Sequence, residues 1–432
     1  MKSNAELSKV ILKNLTCCIL AAGEGVRMNS EIPKVLHRIY KKPLISYVLD
    51  AIKELKIKRI ITVVGYKSKQ VQDYIKKDCQ TIKQKKLLGT ADALKQAKKK
   101  LTTSGGNVLV LYGDTPLIKA KTLAKLINYH VESGSSCTLL TAVLKNPTGY
   151  GRIIRNNNDN IIKIIEERDA SLYEKVIEEI NTGIYCFKNK DLFQSIEDIK
   201  PNNTKREFYL TDVIQILIKR GLKVSSLQSE DPEEILGINT REDLSLAHKI
   251  LRRRIQKEII SKGVTIIDPE TVHIDEVVEI GKDTIIEPFV RIEGNVQIGK
   301  KCHIGPFARI RPGTIIKDEV KVGNFVEIVR SKIESGTKVN HHAYIGDSEI
   351  GKNVNIGAGT ITANYDSKKK NKTIIKDGAF IGSGSILVAP VKIGKNVITG
   401  ANCVVNKGEV KDNRIVVGIP AKVLRKRRVN EA

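Results

Sequence analysis

From Ile274 to Ile328 an aliphatic residue occupies every sixth position: Ile274, Ile280, Ile286, Ile292, Ile298, Ile304, Ile310, Ile316, Val322 and Ile328. With aliphatics at roughly a quarter of an ordinary chain, so long a run without a miss is an accident of about one in a million. A period of six fits neither a helix at 3.6 nor a half-buried strand at 2. It fits a chain that winds a three-sided coil, with one short strand and one inward residue per side. Stacked coils bury those residues in a continuous column, so the segment is expected to form a parallel β-helix. Independent short strands in a sandwich would instead give period two and irregular spacing. After small slips the series resumes through Ile333, Val339, Ile345, Ile350, Ile356, Ile375, Ile381, Leu387 and Ile393, and closes at Val405. Between Thr362 and Thr373 it breaks for Ala363-Asn364-Tyr365-Asp366-Ser367-Lys368-Lys369-Lys370-Asn371-Lys372, which belongs to no coil. Insertions in a solenoid emerge as loops on one face and often carry binding residues.

At 432 residues the chain is too long for one ordinary core, and two domains are expected. No apolar run reaches the length that spans a bilayer, so membrane insertion is not expected. Thr16-Cys17-Cys18-Ile19-Leu20-Ala21-Ala22 leads into a glycine loop rather than a signal-peptide cleavage site. Seven cysteines without a CxxC pair argue for a reducing cytoplasm and against zinc, with Cys17 and Cys18 lining a buried strand. A net charge of +26 raises the question of nucleic acid. The lysines are scattered, aromatics are only 4% and no recognition motif is present, so the basicity suits an enzyme of anionic nucleotides and no nucleic-acid partner is expected.

Residues 16–240 alternate apolar runs (Cys17–Leu20, Arg59–Val64, Val108–Leu111, Cys137–Val143) with helical stretches (Leu44–Leu55, Ala91–Leu101, Lys121–Glu132). That alternation predicts a doubly wound α/β domain. The first strand opens into Leu20-Ala21-Ala22-Gly23-Glu24-Gly25-Val26-Arg27-Met28, where small residues let backbone N–H groups approach phosphates and Arg27 adds charge. The loop is neither a Walker A sequence nor a dinucleotide fingerprint. Lys34 follows shortly, and Asp114 stands at a strand's C-terminal end, where open α/β sheets place ligands.

LxAGxGxRM followed by Pro33-Lys34 resembles the signature of the sugar-nucleotide pyrophosphorylases. The match persists through Leu88-Gly89-Thr90-Ala91, Tyr112-Gly113-Asp114, Gly149-Tyr150-Gly151-Arg152, Ile180-Asn181-Thr182-Gly183 and Gly237-Ile238-Asn239. The sixfold repeat and the ending Gly418-Ile419-Pro420-Ala421-Lys422 are similar to the left-handed β-helix acyltransferases. In this order the motifs resemble a family of bacterial bifunctional enzymes. The resemblance implies acetyl transfer from acetyl-CoA to glucosamine 1-phosphate, then uridylyl transfer from UTP to N-acetylglucosamine 1-phosphate with release of pyrophosphate. The alternative is a nucleotidyltransferase whose β-helix serves only for assembly.

For the uridylyltransferase half, the resemblance implies that Leu20, Ala21, Ala22, Gly23, Gln84, Gly89 and Thr90 hold the uridine. Arg27 and Lys34 act on the triphosphate, Tyr112, Gly113 and Asp114 contact substrate, and Asp114 with Asn239 holds Mg²⁺. Gly151, Glu166, Asn181 and Asn239 surround the sugar phosphate; Glu166 read alone could equally be a solvated carboxylate beside Glu167. Leu87 departs from the family, standing where a glutamine is usual.

For acetyl transfer the chemistry needs a base for the amine proton and donors for the oxyanion. His341 keeps the family's His-x-x-Tyr offset to Tyr344 and is taken as the base, with His342 a bystander; a register error of one would exchange them. Arg311, Tyr344, Asn355, Asn364 and Tyr365 are implied to hold the sugar phosphate, and Ala358, Ser383 and Ala401 to line acetyl-CoA. Val329 stands where the family places a lysine, beside Arg330, and Lys422, Arg425 or Lys426 could meet the CoA 3′-phosphate. The expected organisation is an extension (1–15), a pyrophosphorylase domain (16–240), a linker helix (241–262), the β-helix (263–424) and a basic tail (425–432). A cytoplasmic homotrimer with sites between subunits is implied.

Overall fold

The computed structural model describes residues 7–102 and 106–426. The end of the basic tail, including Arg427 and Arg428, and the first part of the N-terminal extension lie outside the described residues. The chain divides into two compact units, Met1–His248 and Lys249–Ala432.

In the N-terminal unit the strand Leu15–Ala21 is buried along its whole length. Its side chains alternate between two apolar cores, Cys17, Ile19 and Ala21 on one face and Cys18, Leu20 and Ala22 on the other. A central strand must be covered on both faces, which is why it reads as an unbroken apolar run. The helices Leu44–Glu54 and Ala120–Ser133 supply one cover and Thr90–Thr102 the other. The adjacent cysteines therefore face opposite cores, and burial pushes the Cys18 thiol up to about 12. Across the sheet the strands run Val224–Gln228, Cys137–Val143, Glu179–Lys188, Asn107–Tyr112, Leu15–Ala21, Ile60–Val64 and Gln80–Lys83. Neighbours are parallel except at Glu179–Lys188, which is antiparallel to both of its partners. That strand also pairs with a hairpin of Gly151–Arg155 and Ile161–Ile165.

The C-terminal unit is a three-sided parallel β-helix, its sheets holding ten, eight and eight strands. The expected columns are present in the register: Ile274 pairs with Ile292, Ile292 with Ile310, and Ile310 with Ile328. Higher coils shorten by one residue, as in Ile328 against Ile345 and Ile333 against Ile350, which accounts for the slips in the sixfold series. The column residues Ile274, Ile292, Ile310, Ile328 and Ile345 are fully buried. The first coil is sealed from the helix Arg241–Ser261, where Gln256 Nε2 donates to the carbonyls of Pro269 and Val272 at 2.8 Å each. Ile350 pairs with Ile375 across the inserted segment. That segment leaves the coil as a small hairpin, bridged between Tyr365 and Lys370 and cross-tied by Asp366, which accepts from the Lys368 and Lys369 amides. Among the described residues, no helix is long and apolar enough to cross a membrane.

Candidate active sites

At the C-terminal edge of the N-terminal sheet, the Gly113 amide donates to the Leu20 carbonyl at 3.0 Å and the Tyr66 amide to that of Ala22 at 3.0 Å. These bonds bring Leu20–Gly23 and Tyr112–Asp114 side by side. Beyond Gly23, Gly25 adopts a left-handed φ of 70°. A Cβ there would lie 2.7 Å from Lys34 Cβ, so glycine clears the path of the lysine stem. Buried Met28 anchors the following turn and Arg27 stays exposed. Lys34 is ion-paired with Asp114, and its Nζ donates to Asn239 Oδ1 at 3.1 Å. Asn239 is oriented for this: its Nδ2 donates to the Gly237 carbonyl at 3.2 Å, leaving Oδ1 toward the lysine. Its own amide is held by Asp243 Oδ2 at 2.9 Å, and the Ile238 amide donates to the Asp114 carbonyl at 2.8 Å. Among the described residues, no group of three or more His, Cys, Asp or Glu could hold a metal. The carboxylate of Asp114 and the carboxamide oxygen of Asn239 instead converge on one cation, the lysine ammonium.

On one side of this cluster, buried Gln84 donates from Nε2 to the Gly89 carbonyl at 3.1 Å and to Asp92 Oδ2 at 2.7 Å. Gly89, at φ 114°, approaches Phe208 so closely that a Cβ would meet the Phe208 carbonyl oxygen at 2.5 Å. Thr90 Oγ1 accepts the Leu210 amide at 2.9 Å and is hydrogen-bonded to Tyr112. Leu87 lies over Gly65, where a Cβ would meet both its Cδ2 and the Ala22 carbonyl, so it reaches the same edge.

On the other side, Gly151 is the register partner of Asn181. Asn181 Oδ1 accepts Tyr185 Oη at 3.0 Å and the Gly183 amide at 3.2 Å, at a break in strand register. Gly183, at φ 78°, makes room for the Tyr112 ring, whose phenol burial pushes up. Tyr112 thereby links Thr90 to the Asn181 bulge. Glu166 accepts from Thr211 Oγ1 at 3.2 Å, and burial raises its carboxyl. Asp212, which follows Thr211 in the chain, is pushed to about 6 by burial and by Asp169. Glu166 is thus partly buried and hydrogen-bonded, and Glu167 is ion-paired with Arg152 at 2.6 Å.

In the β-helix, His341, Ala358, Ser383 and Ala401 stand one above another at a single corner. The His341 carbonyl accepts the Gly359 amide at 3.4 Å, Ala358 that of Gly384 at 2.6 Å, and Ser383 that of Asn402 at 2.7 Å. One coil below His341, Asn324 is its register partner, with Oδ1 2.8 Å from His341 Nδ1. At the adjoining corner position the rings of Phe289, Phe307, Phe325 and His342 stack, with centroids 4.8, 5.2 and 5.0 Å apart. Above His342 the same position is Gly359 and then Gly384, so the stack of rings ends there.

Further round the coil, a Cβ on Gly346 would meet Tyr344 Oη and Asn364 Nδ2 at 2.7 Å each, so these two polar groups converge over a bare backbone. Asn364 also donates to Asp347. Arg330 grips Asp347 with two bonds of 2.6 and 2.8 Å, holding that carboxyl below its usual range. Arg330 is therefore committed and does not stand in as a free cation for the lysine replaced by Val329, which is buried. Arg311 Nη1 donates to Glu327 Oε1 at 2.7 Å, and Glu327 is the register partner of Tyr344. Asn355 lies on the same sheet as His341, one coil higher, and Tyr365 is exposed on the inserted hairpin. Asn324, the phenylalanine stack and the Arg330–Asp347 pair were not among the residues expected from sequence. For the first two the signal was the spacing that sets Asn324-Phe325 one coil before His341-His342.

The nucleotidyl transferase family matches residues 16–233, the GMPPB C-terminal domain residues 292–387, and the bacterial transferase hexapeptide family (six repeats) residues 372–407. Among curated proteins, the chain is 43% identical to the bifunctional protein GlmU of Acetivibrio thermocellus, over 91% of this chain and 92% of that one. It is 45% identical to the protein of the same name from Pelotomaculum thermopropionicum (88% and 90% covered). It is 40% identical to that of Brevibacillus brevis, with 97% of each covered.

Proposed function

Because the chain belongs to the family of bifunctional GlmU proteins, a nucleotidyltransferase joined to a left-handed hexapeptide β-helix acyltransferase, we propose that its two halves perform successive steps on one sugar phosphate. The β-helix moves an acetyl group from acetyl-CoA to the amine of glucosamine 1-phosphate. The N-terminal unit then joins the product to UTP, forming UDP-N-acetylglucosamine and pyrophosphate. The observation that carries this reading is the convergence of Asp114 and Asn239 on the Lys34 ammonium, beside the strand-end backbone of Leu20–Gly23. It is a site organised around positive charge in a cleft of glycine and alanine, suited to a polyanion.

In the uridylyl step, the sugar phosphate attacks the α-phosphorus in line and pyrophosphate leaves. Both reactants are anions, so catalysis is mainly positioning and charge compensation. Arg27 and Lys34 provide positive charge for the triphosphate. Gln84, Gly89 and Thr90 hold the uridine, while Gly151, Glu166 and Asn181 hold the sugar. Asp114 and Asn239 offer two hard oxygens already gathered around a cation, the sparse protein donor set that Mg²⁺ takes when phosphates complete its shell. Bound there, Mg²⁺ would offset charge on the phosphates.

In the acetyl step, His341 takes a proton from the sugar amine as the nitrogen attacks the thioester carbonyl. The carbon–sulfur bond then breaks and the CoA thiolate leaves. Ala358, Ser383 and Ala401 form a small-residue track up the corner above His341, along which the acetyl-CoA arm lies. Tyr344, Asn364 and Arg311 orient the sugar phosphate, with Asn355 and Tyr365 at the edges of its pocket. We place this chemistry in a cytoplasmic homotrimer in which neighbouring β-helices complete each acetyl site.

The test offers purified protein UTP and Mg²⁺ with either sugar phosphate, with and without acetyl-CoA. Thiol release is expected only with glucosamine 1-phosphate, and pyrophosphate with the N-acetyl form. Pyrophosphate release without any thiol release would leave the β-helix an assembly device, the outcome to which buried Val329 points.

A further inference from the structure

We propose that Asn324 is a positioning residue for acetyl transfer, which fixes the His341 imidazole with its proton on Nδ1 and its lone pair on Nε2. The inference rests on the reading of His341 as the base.

Three contacts carry it. Asn324 Oδ1 lies 2.8 Å from His341 Nδ1. A carboxamide oxygen can only accept, so in the neutral ring the Nδ1 atom bears the hydrogen and the opposite nitrogen is left basic. Asn239 and Asn324 thus use the same group differently, one to gather a cation and the other to choose a tautomer. The Asn324 carbonyl also accepts the His342 amide at 3.0 Å, so one residue holds both the side chain and the backbone of the histidine pair. Finally, Phe325 stacks against the His342 ring at 5.0 Å. The dipeptide Asn324-Phe325 lies directly beneath His341-His342: the asparagine serves the first histidine and the phenylalanine immobilises the second. His341 is exposed, and without Asn324 its ring could rotate or adopt either tautomer. The acceptor is also uncharged, so it orients the ring without the electrostatic pull of a carboxylate toward imidazolium.

The test compares Asn324→Ala and Asn324→Asp with the parent enzyme and with His341→Ala, following thiol release from acetyl-CoA with glucosamine 1-phosphate across pH. Asn324→Ala is expected to lower kcat about 10-fold or more, with KM for both substrates within about twofold, a loss smaller than the roughly 10²–10⁴-fold that the general base itself contributes. Asn324→Asp keeps an acceptor at the same place and is expected to restore most of kcat. Its carboxylate should move the acid limb of the kcat profile upward by about one pH unit, because an adjacent negative charge favours the protonated ring. An asparagine that did not face the base would leave that limb in place. Unchanged kcat in Asn324→Ala, with His341→Ala inactive, overturns the positioning role alone. So does a shared loss in both Asn324 variants with no displacement of the limb. Full activity in His341→Ala overturns the base assignment, and the positioning role falls with it.

Discussion

Lys34 and Asp114 form an ion pair with both side chains largely shielded from solvent, at 15% and 13% exposure. The same ammonium donates to Asn239, so the cation sits between the two oxygens proposed to hold Mg²⁺. An ammonium and a divalent ion cannot occupy that point together. Binding of metal must turn Lys34 away from Asp114, toward the triphosphate it is proposed to contact. Lys34→Ala is therefore expected to slow pyrophosphate release by about 10²-fold or more, since a charge on the transferring phosphoryl is lost. It should nevertheless tighten Mn²⁺ binding several-fold. Titration of the free protein with Mn²⁺, read by its paramagnetic signal, checks this without turnover. Equal Mn²⁺ affinity in both proteins would mean that lysine and metal do not compete.

Asp114→Ala is expected to abolish pyrophosphate release while acetyl transfer stays near the parental rate. Asp114 lies in the N-terminal unit and the acetyl-site residues in the other, each with its own core. Both half-reactions are run on one preparation. Parallel loss of both activities in a folded protein would show that the sites are not chemically separate.

Asp212 gives a stability effect whose sign follows from its environment. Burial first, then Asp169, raises its carboxyl from 3.8 to about 6 in the folded chain. A raised carboxyl binds its proton more tightly when folded, so the folded state loses stability as pH rises from the unfolded value through the folded one. Asp212→Asn removes that charge. Its stability advantage should be near zero below about pH 4, grow up to about pH 6 and then level off, at about 1–2 kcal/mol after allowance for partial exposure. Thermal unfolding of both proteins across this range checks it. An advantage independent of pH would mean the carboxyl is not desolvated as the fold implies.

Much of this was legible in the chain because repeats advertise themselves. The sixfold series determines which residues face inward at every coil, so spacing alone is enough to stack Ile274, Ile292, Ile310 and Ile328 in one column. The inserted loop was visible as the place where the period failed. The doubly wound domain was visible as apolar runs alternating with amphipathic ones, although the antiparallel run of Glu179–Lys188 left no mark, since a buried strand has the same composition in either direction. What stayed hidden were pairings across coils or across the sheet. Nothing next to Arg330 in sequence indicates that Asp347 engages it, and so Arg330 read as a spare cation beside Val329. Likewise Lys34 and Asp114 were each recognisable, but their mutual contact depends on Gly25 clearing the lysine's path.

The two adjacent histidines have different surroundings and are expected to play different roles. His341 bonds to Asn324 and heads the column of Ala358, Ser383 and Ala401, whereas His342 ends a stack of phenylalanine rings. His341→Ala is expected to lower acetyl transfer by about 10²–10⁴-fold, the usual contribution of a general base, and to leave pyrophosphate release unaffected. His342→Phe preserves the stack and should be nearly silent. His342→Ala removes one aromatic contact, worth about 0.5–1.5 kcal/mol beyond its buried area, and should reduce thermal stability slightly with a modest fall in rate. Thiol release from acetyl-CoA with glucosamine 1-phosphate, measured beside melting curves for all three variants, distinguishes the roles. A crippled His342→Phe with an active His341→Ala would exchange them, placing the base on the stacked ring. That outcome would require the imidazole to leave Phe325 before it could reach an amine beside Ala358.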